Sequence, residues 1–389
     1  MLASRIGARA GPSVRQITSL RAQTHTCSPS VALAQKNSSL RMYTSESSQN
    51  TPKRTALYDL HVENGATFAT FAGWQMPMKF GDLTALESHH HTRRNASIFD
   101  VSHMLQLSFT GPNRTEFLER IVCGDIAGLP SGGGTLSLMT NSEGGIIDDC
   151  VVVNADDHVY MVANAGCADK DLVHIKSELS AFADGEVEME VMDTYSLIAL
   201  QGPKAMDVLA KHVDDDEVML KDLPFMASVN DVSVHGVPGC RITRCGYTGE
   251  DGFEISMPSY KAVCITRALL SEDEAANAGL AARDSLRLEA GLCLYGSDID
   301  ATTSPMEANL GWTVAKRRRT ESGFVGGDII VDQLKKKVCE SSGVRRRVGL
   351  VVDGAPARAH SKVLDMEGNE IGEITSGVPY ECTARFTAV

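Results

Sequence analysis

Apolar and polar positions along this 389-residue chain follow two periods, and the switches between them mark its elements. The most informative stretch is Gly144-Gly145-Ile146-Ile147-Asp148-Asp149, running into Cys150-Val151-Val152-Val153. Two glycines followed by β-branched residues predict a tight turn that delivers a strand. Side chains alternate along a strand, so Ile147, Asp149 and Val151 share one face and Ile146, Asp148 and Cys150 the other. Only one aspartate can look into a given pocket. Two readings stay open: carboxylates at the solvated mouth of the strand, or one carboxylate in a low-dielectric cleft beside a cationic substrate.

The pattern also repeats. Strand-like Leu105 to Thr110 meets Gly111-Pro112 and then a helix with Phe117, Leu118, Ile121 and Val122 on one stripe. Later, Ser196 to Leu200 meets Gln201-Gly202-Pro203 and a helix with Met206, Leu209, Ala210 and Val213 at helical spacing. A proline at the helix start after a turn glycine is a boundary signal in both copies. Two related α+β halves are expected.

Between the copies lie Thr135 to Met139, the Gly144 turn, and a hairpin around Asn154-Ala155-Asp156-Asp157 whose return strand ends at Asn164. Asn164 reads either as a plain turn residue or as a partner for a heterocycle. A second hairpin, Arg241 to Ser256, carries Glu254 between Phe253 and Ile255, either exposed or facing a site. Gly279 to Gly291 predicts a helix on which Arg283 and Arg287 share a face. The helix predicted over Thr84 to Arg94 carries His89-His90-His91, which reads as a solvated face, because helical neighbours point about 100° apart and do not converge on one ion. From Val348 the chain turns β-like.

Composition narrows the function classes. The formal net charge is −13, which disfavours general binding to nucleic acid, and no apolar run is long enough to span a bilayer. Residues 1–45 contain no acid but carry Arg5, Arg9, Arg15, Arg21, Lys36 and Arg41, the makeup of a mitochondrial presequence. Ten cysteines include no Cys-x-x-Cys pair, so a reducing compartment and no structural zinc are expected. The runs 316–319, 335–337 and 345–347 read as solvated linkers or as a docking surface for an acidic partner. Neither a dinucleotide fingerprint nor a phosphate-cradling loop is present.

Phe71-Ala72-Gly73-Trp74, Phe99 to Met104, the Gly144 to Asp149 turn, Leu200-Gln201-Gly202-Pro203, Gly246 to Gly252 and Ala282 to Gly291 together resemble the aminomethyltransferase, or T-protein, of the mitochondrial glycine cleavage system. The resemblance covers about residues 53–377. It implies a transit peptide over 1–45, a folate-binding region of two intertwined α+β domains over 53–335, and a small β-barrel-like domain over 340–389, arranged as a cloverleaf around a folate channel. It further implies that tetrahydrofolate is the co-substrate, that a lipoylated H-protein in the mitochondrial matrix is the partner, and that no metal takes part.

In the reaction so implied, the folate takes the methylene carbon from the aminomethyl-lipoyl arm and ammonia leaves. By position Asp149 matches the catalytic aspartate, Glu254 a pterin-binding carboxylate and Arg283 a folate-contacting arginine. Met104, Leu136, Val162 and Asn164 fall on the channel lining. Residues 378–389 do not resemble the family's continuation, so an incomplete barrel is expected, with an inactive folate-binding product as the alternative. Iron–sulfur assembly relatives carry a different cysteine motif where this chain has Arg244-Cys245-Gly246-Tyr247.

Overall fold

The computed structural model describes residues 51–182, 185–214, 220–338, 344–352, 357–377 and 385–388. The expected leader, Cys339, Cys382 and most of 378–389 lie outside them.

Helix α1 (Tyr58–Glu63) lies beside a hairpin of β1 (Ala66–Phe71) and β2 (Trp74–Phe80). The hairpin turns at Ala72-Gly73, both at positive φ, as a two-residue turn between twisted strands requires. Helix α2 (Ala85–Arg94) starts at Thr84, whose hydroxyl accepts from the Glu87 N–H while the Glu87 carboxylate accepts the Thr84 N–H. Strand β3 (Ala96–Asp100) follows.

The internal echo becomes a repeated topology. The first copy runs β4 (Leu105–Thr110), α3 (Arg114–Ile121), β5 (Gly134–Thr140), β6 (Ile146–Asn154), β7 (Val159–Ala163), α4 (Ala168–Ala181) and β8 (Glu188–Val191). The second runs β9 (Tyr195–Gln201), α5 (Ala205–Ala210), β10 (Ser228–Val234), β11 (Val237–Thr243), β12 (Gly252–Pro258), α6 (Ala262–Leu270) and β13 (Ala275–Asn277). The sheets are ordered β5-β6-β7-β4-β8 and β10-β11-β12-β9-β3-β13, so each copy closes a three-strand meander back onto its opening strand. The glycines that end those opening strands cannot be replaced freely. A Cβ on Gly111 would sit 2.2 Å from the Glu186 carbonyl oxygen, and one on Gly202 2.1 Å from that of Asn95.

The second predicted stripe is corrected. Helix α5 ends at Ala210 and buries Ala205, Val208 and Leu209, whereas Ala210 is exposed. Val213 lies past the helix and pairs with Val234 as an isolated bridge, so one stripe cannot include it.

One core cluster joins the two sheets. It takes Val153, Tyr160 and Val162 from one, Phe99, Leu197 and Ala199 from the other, and Ala282 and Leu286 from helix α7 (Leu280–Glu289). Helix α7 also overturns the solvated reading of the histidine run. His89 is fully buried, with Nδ1 2.8 Å from Ser285 Oγ and Nε2 3.2 Å from the Glu289 carboxylate.

The rest of the chain contains α8 (Arg318–Glu321), α9 (Gly327–Lys335) and strands β14 (Val348–Val351), β15 (Lys362–Leu364), β16 (Glu370–Ser376) and β17 (Arg385–Ala388). Among the described residues these strands form an open sheet ordered β14-β17-β16-β15 rather than a closed barrel. Arg287 ties it to the body, bonding Asp298 at 2.7 Å and Ser376 at 2.8 Å.

The reading of 317–319 as a solvated linker is also corrected. Arg317 pairs with Glu119, Asp125 and Glu321, Arg318 is buried against the Glu119 backbone, and Arg319 donates to the carbonyls of Val314 and Gly311. The nearby acids and the helix end draw these guanidinium groups inward. Lys335, Lys336 and Lys337 are exposed as expected.

Candidate functional site

The glycine turn is set by close packing. Gly144 has φ +82°, and a Cβ on Gly145 would lie 1.9 Å from the Ala301 carbonyl oxygen, so only glycine lets the 301–303 loop approach. That loop receives the Ile146 N–H through the Thr303 carbonyl at 3.0 Å, which fixes the start of β6.

From there the register decides which way Asp149 points. Leu138 lies opposite Asp149, and Leu136 opposite Val151, which in turn lies opposite Val162. Opposed residues share a face, so Leu136, Asp149, Val151 and Val162 all face the layer between the two sheets. Met104 and Val151 pack at its edge.

Asp149 is partly exposed, yet deep enough that burial, followed by the neighbouring charge of Asp148, pushes its pKa up to about 7. Asp148, on the opposite face, is fully buried. The expectation that one pocket sees one aspartate holds for the strand but overlooks Asn164. Placed just beyond the end of β7, Asn164 reaches both: Nδ2 lies 2.9 Å from Asp148 Oδ1 and 2.9 Å from Asp149 Oδ1, and its N–H donates to Asp148 Oδ2 at 2.9 Å.

The second sheet supplies Glu254. It lies opposite Thr243 on one side and Ala199 on the other, and Ala199 lies opposite Phe99, so Glu254 shares the inter-sheet face of these core residues. Burial pushes the Glu254 carboxyl up, partly offset by the Arg283 charge. On α7, Arg283 sets its guanidinium 4.8 Å over the Tyr247 ring, and its Nη1 is buried without a hydrogen-bond partner among the described residues. A buried guanidinium N–H left unmatched is costly, so an acceptor supplied from outside the chain fits there. Arg287 does not share this surroundings; it is committed to Asp284, Asp298 and Ser376.

Three residues escaped the sequence reading. Tyr247, within the Gly246 to Gly252 stretch, feels the charges of both Asp149 and Arg283 and donates its hydroxyl proton to the Cys293 carbonyl. Its aromatic ring between flanking glycines was the available signal. Asp171 and Cys167 lie behind Asp148, and one carboxylate oxygen of each acid and the Cys167 Sγ fall within 4.8 Å of one another. Nothing in their spacing from β6 announces that meeting, because α4 brings it about. No hydrogen bond or ion pair joins Asp149 to Glu254 or Arg283 among the described residues; the three face one layer from different elements.

The family model described as the GCVT N-terminal domain matches residues 57–318. Among curated proteins, "Aminomethyltransferase, mitochondrial" of Canis lupus familiaris is 51% identical over 344 residues, covering 88% of this chain and 83% of that protein. The protein of the same name from Solanum tuberosum is 47% identical, covering 87% of this chain and 82% of its own length. Among solved structures, the glycine cleavage system aminomethyltransferase T from Bartonella henselae is 37% identical with a TM-score of 0.77, covering 87% of this chain and 90% of that one. A family model over most of the chain, relatives matched over most of their own length and a shared fold agree: the chain belongs to the aminomethyltransferase (GCVT) family.

Proposed function

We propose that this chain is a mitochondrial aminomethyltransferase of the glycine cleavage system. In this reading it transfers the methylene carbon from the aminomethyl-dihydrolipoyl arm of H-protein to tetrahydrofolate, giving 5,10-methylenetetrahydrofolate, ammonia and the dihydrolipoyl carrier. The names of its relatives support the activity and the compartment. The matrix location, the cloverleaf around a folate channel, the domains 53–335 and 340–389, and the absence of a metal from the reaction belong to the same proposal.

The observation that carries it is geometric: Asp149, Glu254 and the unpartnered Arg283 Nη1 face one layer from different elements, where burial and the Asp148 charge raise the Asp149 pKa. Tetrahydrofolate supplies the nucleophilic nitrogen and the one-carbon acceptor when bound. Glu254, half-buried and facing that layer, accepts parallel N–H bonds from the pterin. Arg283 Nη1 donates to an acceptor of the folate. Asp149 stabilises positive charge at the reacting carbon and takes or gives a proton as ammonia departs. Met104, Leu136 and Val162 keep water from that carbon, and Asn164 fixes the Asp149 carboxylate.

Tetrahydrofolate binding by calorimetry, together with turnover on aminomethylated H-protein, tests this on the wild type and on Asp149→Ala. Binding by both with turnover by the wild type alone is expected. Binding without turnover by either overturns the catalytic reading.

A further inference from the structure

Behind Asp149, on the other face of β6, Asp148 meets Asp171 and Cys167 from the start of α4, with no water-accessible surface on either carboxyl. Both oxygens of Asp148 already accept N–H bonds, Oδ1 from the Asn164 amide and Oδ2 from the Asn164 backbone. Neither oxygen of Asp171 receives any donor among the described residues. Two carboxyls this close and out of water do not both ionise. Because N–H groups are aimed at Asp148, the shared proton belongs on Asp171.

Other titratable groups face the pair. They are Asp149 and Cys150 on β6, Cys167 and Lys170 at the start of α4, and Tyr295 in the segment after α7. Lys170, the nearest cation, is turned to the Ile147 carbonyl and lies 3.6 Å over the Tyr295 ring, so it makes no ion pair with either acid among the described residues. Burial and the charge of Asp148 push Asp171 up to about 10.

We propose that Asp171, as a neutral acid that keeps its proton, donates an O–H hydrogen bond to Asp148 and fixes it as an anion, so that Asp148 and Asp171 act as positioning residues that hold Asn164 and, through it, Asp149. This rests on the reading of Asp149 as the reacting acid. The fixed anion one residue away is also a cause of the high proton affinity of Asp149, so the pair acts on the reaction by orientation and by charge without touching substrate.

The test uses the full-length chain with Asp171→Asn, Asp171→Leu and Asp148→Asn. An infrared difference spectrum between wild type and D171N at pH 8.5, where Asp149 is ionised, is expected to show one protonated-carboxyl band that only the wild type has. In turnover, D171L is expected to lose at least about tenfold in kcat with tetrahydrofolate affinity kept. D171N, whose amide still donates, should recover most of that loss, and D148N should move the acid limb of the pH profile down by about one unit.

The proposal is overturned if the wild type lacks the band, if D171L and D171N are equally impaired or equally active, or if the wild type retains a stoichiometric divalent cation that D171N releases. An inactive wild type defeats the reading of the site instead, and the infrared comparison still decides whether the pair holds a proton even if D171L fails to fold.

Discussion

The Asn164 amide nitrogen lies 2.9 Å from Asp149 Oδ1, and this contact holds the carboxylate at the strand end rather than leaving it free to rotate. Hydrogen bonds to a charged group contribute about 1.5–3 kcal/mol. Asn164→Ala is therefore expected to lower kcat by about 10- to 100-fold. Because Asn164 lowers the Asp149 pKa, its loss raises that pKa, and the acid limb of the rate profile should move to higher pH. Steady-state kinetics across pH check both effects; a limb that stays in place contradicts the assigned contact.

Glu254→Gln keeps the size of the side chain but turns half of its acceptor pair into a donor. Tetrahydrofolate affinity is expected to fall by about 10- to 100-fold, with a smaller effect on the turnover of bound substrate. Calorimetry reads the affinity directly, and an unchanged dissociation constant would remove Glu254 from the folate site.

The arginines at 317–319 are expected to act on stability rather than on recognition. Replacing all three with glutamine leaves the half-buried Glu119 carboxylate without its cations. A loss of about 1–3 kcal/mol in denaturant unfolding is expected, with the KM for H-protein within about twofold of wild type. A raised KM at unchanged stability would restore the docking role.

How much of this was legible beforehand depended on the reach of each signal. Strand alternation placed Asp148 and Asp149 on opposite faces, and the Gly-Pro echo led to the same strand order in both sheets, because both signals are local or repeated. The burial of His89 was not legible, since it depends on α7 arriving some two hundred residues later with Ser285 and Glu289. The same holds for Asp171, which reads as an ordinary acid in the first turn of a helix until α4 sets it behind β6. The inward turn of Arg317 depends likewise on Glu119 and Asp125, which are remote in sequence.

Gly145→Ala isolates the turn from the chemistry. The added methyl would press on the Ala301 carbonyl at 1.9 Å, so one of the two segments must shift. The expected cost is about 1–3 kcal/mol, read as a lowered melting midpoint, together with reduced turnover because β6 begins there. A variant as stable as wild type would show that the 301–303 loop gives way freely.

The pH dependence of the single-turnover rate, with tetrahydrofolate and aminomethylated H-protein both saturating, addresses Asp149 most directly. A carboxyl raised to about 7 is ionised above that pH and neutral below it. The rate is therefore expected to fall as pH drops through about 7 in the wild type, and Asp149→Asn is expected to be slower by about 100-fold or more with no such limb. A wild-type midpoint near that of an ordinary aspartate, or a limb that survives in Asp149→Asn, would contradict the account.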